Sequence, residues 1–104
     1  MKIVAVTACP TGVALTYMAA ERLGAVARRL GHSIKIETQG ALGTENTLVR
    51  KDIVSADIAI FAADIEIKGK ERFHSVKVLR ASTADVIETP EKVLQQALEM
   101  SRGR

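Results

Sequence analysis

Cysteine is nearly absent from this sequence: Cys9 is the only one among 104 residues. A disulfide within the chain is therefore impossible, and one thiol cannot build a structural zinc site. No metal and no other cofactor is expected. The sequence also lacks a His-Cys pair and a Cys-x-x-Cys motif, which argues against protease and thioredoxin chemistry.

Aromatic residues and long apolar stretches are scarce as well. Aromatic residues make up 3% of the chain and hydrophobic residues 47%, so the core must be built from Ile, Val, Leu and Ala. No apolar stretch approaches the ~20 residues of a membrane helix. The apolar run Ile3–Val6 is too short for a secretory signal. The sequence therefore predicts a single cytoplasmic domain over residues 1–104, without direct insertion into a membrane.

The charge pattern bears on the partners of the protein. The net charge is +3, and the basic residues are spread along the chain with Asp and Glu between them. Nucleic-acid-binding proteins usually carry a denser basic stripe and aromatic residues that stack on bases. We therefore expect no nucleic-acid partner, whereas a modest positive charge suits docking to an acidic protein surface.

Four short apolar runs alternate with helical or loop segments, which is typical of a parallel sheet covered by helices. The runs are Ile3–Ala8, Ser33–Glu37, Asp57–Ala62 and Val76–Arg80. The first run is continuously apolar over Ile3–Val6 and the third over Ile58–Phe61, as in strands buried on both faces. The other two runs alternate, as edge strands do. With right-handed crossovers, this pattern predicts an α/β fold with a four-stranded parallel open sheet, order 2-1-3-4, and helices on both faces.

Helical periodicity marks three other segments. A helix is predicted from Val13 to Leu30, and a short one over Arg50–Ser55. The last helix is expected to start at Thr89-Pro90, a cap followed by proline in the first turn. The buried stripe of the first helix is predicted to contain Ala19, Leu23, Val26 and Leu30.

Cys9 falls between the first predicted strand and the first helix, where open sheets of this order usually bind ligands. The free N–H groups and the dipole at a helix start stabilise an anion, which suits both a thiolate and an attached phosphate. A lone cysteine is often only a small buried hydrophobe, but the Pro-Thr-Gly that follows Cys9 at this edge favours a chemical role. The predicted phosphate-binding loop comprises Pro10, Thr11, Gly12, Val13, Ala14, Leu15 and Thr16.

A thiolate in a phosphate-cradling turn suggests a phosphocysteine intermediate. Low-molecular-weight tyrosine phosphatases use such a turn, with an arginine after five intervening residues that clamps the phosphoryl oxygens. Leu15 holds that position here and cannot stabilise transition-state charge. The loop is therefore expected to hold a phosphoryl group without forcing its hydrolysis, as a relay protein requires.

Longer motifs surround this loop. They include Val6–Ala14, Thr16–Glu21, Ile36–Gly40, Asp64-Ile65 and Glu71–Phe73, and together they span roughly residues 3 to 80. In these motifs the sequence resembles the fructose-type IIB component of the bacterial phosphoenolpyruvate-dependent sugar phosphotransferase system. The resemblance implies that a phosphohistidine on a IIA component donates to Cys9, and that the membrane component IIC presents the sugar that receives the phosphate. It also implies a cytoplasmic protein peripheral to the inner face of the membrane through IIC.

One position departs from the family pattern. The family loop usually reads Ala-His-Thr where this chain has Ala14-Leu15-Thr16, so a side-chain donor beside the phosphocysteine is missing. Two other functions therefore stay open. One is a phosphatase-like or arsenate-reductase-like enzyme, against which Leu15 and the single cysteine count. The other is a divergent, non-catalytic component that binds partners.

Four further residues are candidates for partner docking. Tyr17 and Met18 fall on the first helix near the loop, where they would form an apolar rim. Gln39 is expected either in a plain turn or in contact with phosphate or a partner. Asp64 follows the third predicted strand, and because a carboxylate would repel phosphocysteine, a loop-structuring or docking role is favoured over catalysis.

The segment Glu71–Phe73 is predicted to form a short turn with Phe73 packed inward. Arg72 could approach the phosphate from this turn. A surface ion pair with Glu71 or nearby residues is the favoured prediction for its side chain.

Overall fold

The structure is a computed structural model that describes residues 1–10, 13–41 and 43–103. The predictions for Thr11, Gly12 and the side chain of Val13 fall outside what it describes.

Within the described residues, five strands form one sheet in the order β3-β2-β1-β4-β5. β1 pairs in parallel with β2 and with β4, and β4 pairs in parallel with β5. The four predicted strands therefore lie side by side in the predicted order. The bounds are β1 Lys2–Ala8, β2 Ser33–Gly40, β3 Gly43–Glu45, β4 Ile58–Ala63 and β5 Val78–Ala81.

The prediction of four strands, all parallel, is wrong at one edge of the sheet. β3 runs antiparallel to the end of β2, with Thr38 opposite Glu45 and Gly40 opposite Gly43. β2 is therefore not an edge strand over its last three residues. Gly43 has a φ of 103°, a backbone conformation that residues with a side chain rarely adopt, and it allows the strand to start there.

Helices cover both faces of the sheet, as predicted. The helical elements are α1 Val13–Arg29, α2 Arg50–Val54, a 3₁₀ helix Lys70–Phe73, α3 Thr83–Glu88 and α4 Pro90–Arg102. α1 ends one residue before the predicted bound, at a turn in which Gly31 has a φ of 86°. Leu30 is 50% exposed as a result, so its placement in the buried stripe was wrong.

Two apolar clusters fill the space between the sheet and these helices. One joins β1 to α1 and α4 and includes Ile3, Leu23 and Leu94. The other, on the opposite face, joins β1 to α2 and the 3₁₀ helix and includes Val4 and Phe73. β1 is thus buried on both faces, which explains its continuous run of apolar residues. Among the described residues, no helix is both long and apolar enough to cross a membrane.

Candidate functional site

Cys9 lies just beyond the carboxyl end of β1, the middle strand of the sheet. The chain proceeds from there through α1 to β2 on one side of β1, whereas β4 lies on the other side. The carboxyl ends of β2 and β4 therefore flank Cys9, the position at which open parallel sheets bind their ligands. The Cys9 residue is 6% exposed.

A cleft of about 220 Å³ opens at this edge of the sheet. Its described lining comes from the segments after β1, around the β2–β3 connection and after β4. All three segments lie at the edge of the sheet where the sequence placed Cys9. The lining residues are Cys9, Pro10, Gln39, Gly40, Ala41, Gly43, Thr44, Ile65, Glu66 and Lys68.

The segment that precedes α3 reaches the site through Asp64. The backbone N–H of Asp64 donates to the carbonyl of Ala8 over 3.1 Å, which places Asp64 beside Cys9. Thr83, the first residue of α3, donates to the carboxylate from its backbone nitrogen over 3.1 Å and from its hydroxyl over 2.5 Å. Asp64 thus ties the Cys9 segment to the start of α3.

These contacts keep Asp64 ionised. The hydrogen bond from the Thr83 hydroxyl lowers the pKa of Asp64, and burial opposes this effect. The Thr83 backbone N–H and a hydrogen bond from the Cys9 side chain lower the pKa of Asp64 further. The site therefore holds an ionised carboxylate in contact with the Cys9 side chain.

Gln39, a predicted docking residue, makes its hydrogen bonds within the fold. Its Nε2 donates to Glu37 over 2.8 Å and to the carbonyl of Lys68 over 2.9 Å. Its Oε1 accepts from the backbone nitrogen of Lys68 over 2.9 Å. Since Lys68 lines the cleft, the Gln39 side chain fixes one wall of it to β2.

Glu37 is the residue at this edge that the sequence analysis missed. Its side chain is 1% exposed, and it accepts from both terminal nitrogens of Arg72, each over 3.0 Å. It also accepts from the backbone nitrogen of Leu48 over 2.9 Å. Burial alone would raise the pKa of Glu37, but the hydrogen bonds from Arg72, Gln39 and Leu48 outweigh burial and lower it.

This buried pair corrects the prediction for Arg72. A surface ion pair with Glu71 or nearby residues was expected, but Arg72 reaches across the fold to Glu37 on β2. The guanidinium group also lies over the ring of Phe73, 5.1 Å from its centre. Phe73 itself is 2% exposed, which confirms that it packs inward.

The start of α1 presents three large apolar side chains to solvent. Leu15, Tyr17 and Met18 are each exposed by about two fifths, and Ile65 is exposed on the other side of the cleft. The Tyr17 hydroxyl donates to Glu45 of β3.

The other described members of the predicted phosphate loop differ in exposure. Pro10 and Ala14 are exposed, whereas Thr16 is fully buried. The carbonyl of Thr16 accepts from the hydroxyl of Thr7 over 3.1 Å, which holds the first turns of α1 against β1.

Comparison with known proteins assigns the family. Residues 4–96 match the family described as "PTS system, Lactose/Cellobiose specific IIB subunit". The PTS system fructose-like EIIB component 2 of Escherichia coli is 45% identical over 95 residues, which cover 91% of this chain and 90% of that protein.

Two solved structures share the fold. A domain of the fructose-specific IIABC component of Borrelia burgdorferi has a TM-score of 0.89 and 41% identity, covering 93% of this chain and 92% of that one. A predicted fructose-specific IIB protein of Escherichia coli has a TM-score of 0.90 and 44% identity, covering 95% and 88%. This chain belongs to the IIB family of the sugar phosphotransferase system.

Proposed function

We propose that this chain is a fructose-type phosphoryl relay in which Cys9 carries the phosphoryl group. Cys9 accepts the group from a phosphohistidine on a IIA component and donates it to a sugar bound by the membrane component IIC. The observation that carries the proposal is the position of Cys9 at the carboxyl end of the middle strand, in the lining of the cleft and just before α1. The fructose-like names of the relatives support the class of sugar.

Two transfers make up the relay, and each is balanced. In the first, the phosphorus–nitrogen bond of the phosphohistidine breaks, a sulfur–phosphorus bond forms, and the thiol proton ends on the freed histidine ring. In the second, the sugar hydroxyl takes the phosphoryl group and its proton returns to sulfur. The protein thus forms a covalent intermediate between the phosphohistidine donor and the sugar acceptor.

The relay also defines where the chain works. Residues 1–104 act as one IIB unit on the cytoplasmic side, peripheral to the membrane and held there by IIC. The exposed apolar side chains of Leu15, Tyr17 and Met18 lie next to the Cys9 segment, so a partner that reaches the sulfur also covers them.

A phosphatase fits the cleft less well. Lys68 is the only cation in the described lining, and Glu66 lies in the same lining. Arg72 is engaged by Glu37, and Leu15 holds the position at which a phosphatase loop has its arginine. The described residues therefore offer no bidentate clamp for the charge that develops during hydrolysis.

Labelled phosphoenolpyruvate separates the possible functions. The protein is incubated with the general phosphotransferase proteins, a fructose-type IIA and the label. Stable label on Cys9 supports the relay, and rapid release of inorganic phosphate supports a phosphatase. Absence of both label on the protein and released phosphate, with the IIA shown to be charged, rejects both functions and supports a partner-binding component.

Replacing Leu15 by histidine should speed phosphoryl transfer. The new imidazole restores a donor beside the phosphoryl oxygens, and a hydrogen bond to a charged group contributes about 1.5–3 kcal/mol. We expect the single-turnover rate from phosphorylated IIA to rise roughly ten- to a hundredfold at saturating IIA. Stability should change little, because Leu15 is 39% exposed.

Met18→His is the matched control, because Met18 is 40% exposed and lies one helical turn further along α1. It adds the same imidazole away from the first turn and should leave the rate at saturation unchanged. If Leu15→His is slower only at subsaturating IIA, Leu15 serves in docking. Equal rates under both conditions would show that the missing donor has no effect.

A further inference from the structure

Asp64 lies at the site but takes no part in the two transfers of the proposed relay. Its backbone N–H bonds to the carbonyl of Ala8, the residue before Cys9. Thr83 holds its carboxylate through two hydrogen bonds, and the Cys9 side chain interacts with the same carboxylate. A fixed negative charge therefore faces the sulfur on which the proposed function places a phosphate.

Most phosphate-binding sites surround the anion with donors and cations. Here the described lining of the cleft holds one cation, Lys68, together with the carboxylate of Glu66. Asp64 adds a second carboxylate directly at the sulfur. Such an arrangement destabilises a phosphoryl group on the Cys9 sulfur. It therefore lowers the fraction of phosphocysteine at equilibrium and favours transfer of the phosphoryl group to the sugar.

We propose that Asp64 sets the transfer potential of Cys9: its carboxylate repels the phosphoryl group on the sulfur and thereby favours onward transfer to the sugar. In this proposal Asp64 acts as a positioned charge rather than as a base. The inference rests on the proposed function, since it requires a phosphocysteine. In the sequence analysis, the repulsion between this carboxylate and phosphocysteine argued against a catalytic role. In this proposal the same repulsion favours transfer.

The test measures the equilibrium between phosphohistidine on a fructose-type IIA and phosphocysteine on this chain. The two proteins are mixed after IIA has been charged, and ³¹P NMR reports the ratio of P–N to S–P species. Asp64→Asn keeps an oxygen for the backbone N–H of Thr83 and removes the charge. We expect the ratio to shift roughly tenfold toward phosphocysteine, the low end for a like charge beside a titrating group, because Asp64 is partly exposed.

Two control variants separate charge from structure. Asp64→Glu keeps the negative charge at this position, so its ratio should match that of the wild type. Asp52→Asn removes a carboxylate at the start of α2, away from Cys9, and should also match it. The proposal is overturned if Asp64→Asn leaves the ratio unchanged or if Asp64→Glu reproduces its shift. If no phosphocysteine forms on the wild type, the proposed function itself fails, which is a distinct outcome.

Discussion

Cys9→Ser should abolish the relay of phosphate to sugar and leave the fold intact. Serine is nearly the same size as cysteine, and its hydroxyl can donate to Asp64 as the Cys9 side chain does. A hydroxyl is a far weaker nucleophile than a thiol, and a phosphate ester on serine is a poor donor. We expect sugar phosphorylation to fall at least about a thousandfold, a rise of about 4 kcal/mol in the barrier.

The measurement uses labelled phosphoenolpyruvate, the general phosphotransferase proteins, a fructose-type IIA and membranes that contain the IIC partner. Circular dichroism and urea unfolding of the same preparation check that the variant is folded. Ala25→Ser is the control, because it adds a hydroxyl at an exposed position of α1 outside the predicted phosphate-binding loop and should keep full activity. Sugar phosphorylation that survives in Cys9→Ser would show that another residue carries the phosphoryl group.

The central part of the fold follows from local sequence patterns. β1 from Ile3 to Val6 and β4 are continuously apolar because both of their faces are covered, and this feature placed them correctly in the sheet. β3 was missed because its three residues, Gly43–Glu45, are all exposed and carry no apolar pattern. α3 was missed despite a signal, the Ser-x-x-Asp spacing of Ser82 and Asp85, in which the serine side chain accepts from the Asp85 backbone nitrogen.

The candidate site was likewise predictable only in part from the sequence. Cys9 could be located because the strand, the turn and the helix around it are consecutive in the sequence, so one stretch of the chain shows all three patterns. The pair of Glu37 and Arg72 joins residues 35 positions apart, so no local pattern predicts it. The alternation in β2 predicted that Lys35 and Glu37 lie on the solvent-facing side of the strand. Lys35 is indeed exposed, whereas Glu37 is buried because Arg72 and the segment at Leu48 cover it.

The buried pair predicts a large loss of stability for Glu37→Gln. The carboxylate accepts four hydrogen bonds, from Arg72 twice, from Gln39 and from the backbone of Leu48. In glutamine, the amide oxygen can accept the bonds made by one carboxylate oxygen. The NH₂ group takes the place of the other oxygen and faces N–H donors, including those of Arg72, to which it cannot hydrogen-bond. Removing one partner of a buried pair costs roughly 3–5 kcal/mol, and the low end applies because the Arg72 side chain is 28% exposed and keeps access to water.

Urea unfolding of both proteins as a function of pH tests the cause of this loss. The folded pKa of Glu37 lies below its ordinary value of 4.5, so its contribution to stability is complete above that pH and disappears as pH falls through the folded pKa. The difference in unfolding free energy between wild type and Glu37→Gln should therefore be constant near neutral pH and shrink below about pH 4.5. Other carboxylates titrate in both proteins and cancel in the difference.

Arg29→Gln, which breaks an exposed ion pair with Glu91, should change stability little at any pH. A difference for Glu37→Gln that stays constant into acid would mean that packing, rather than the charge of Glu37, holds β2 against the 3₁₀ helix.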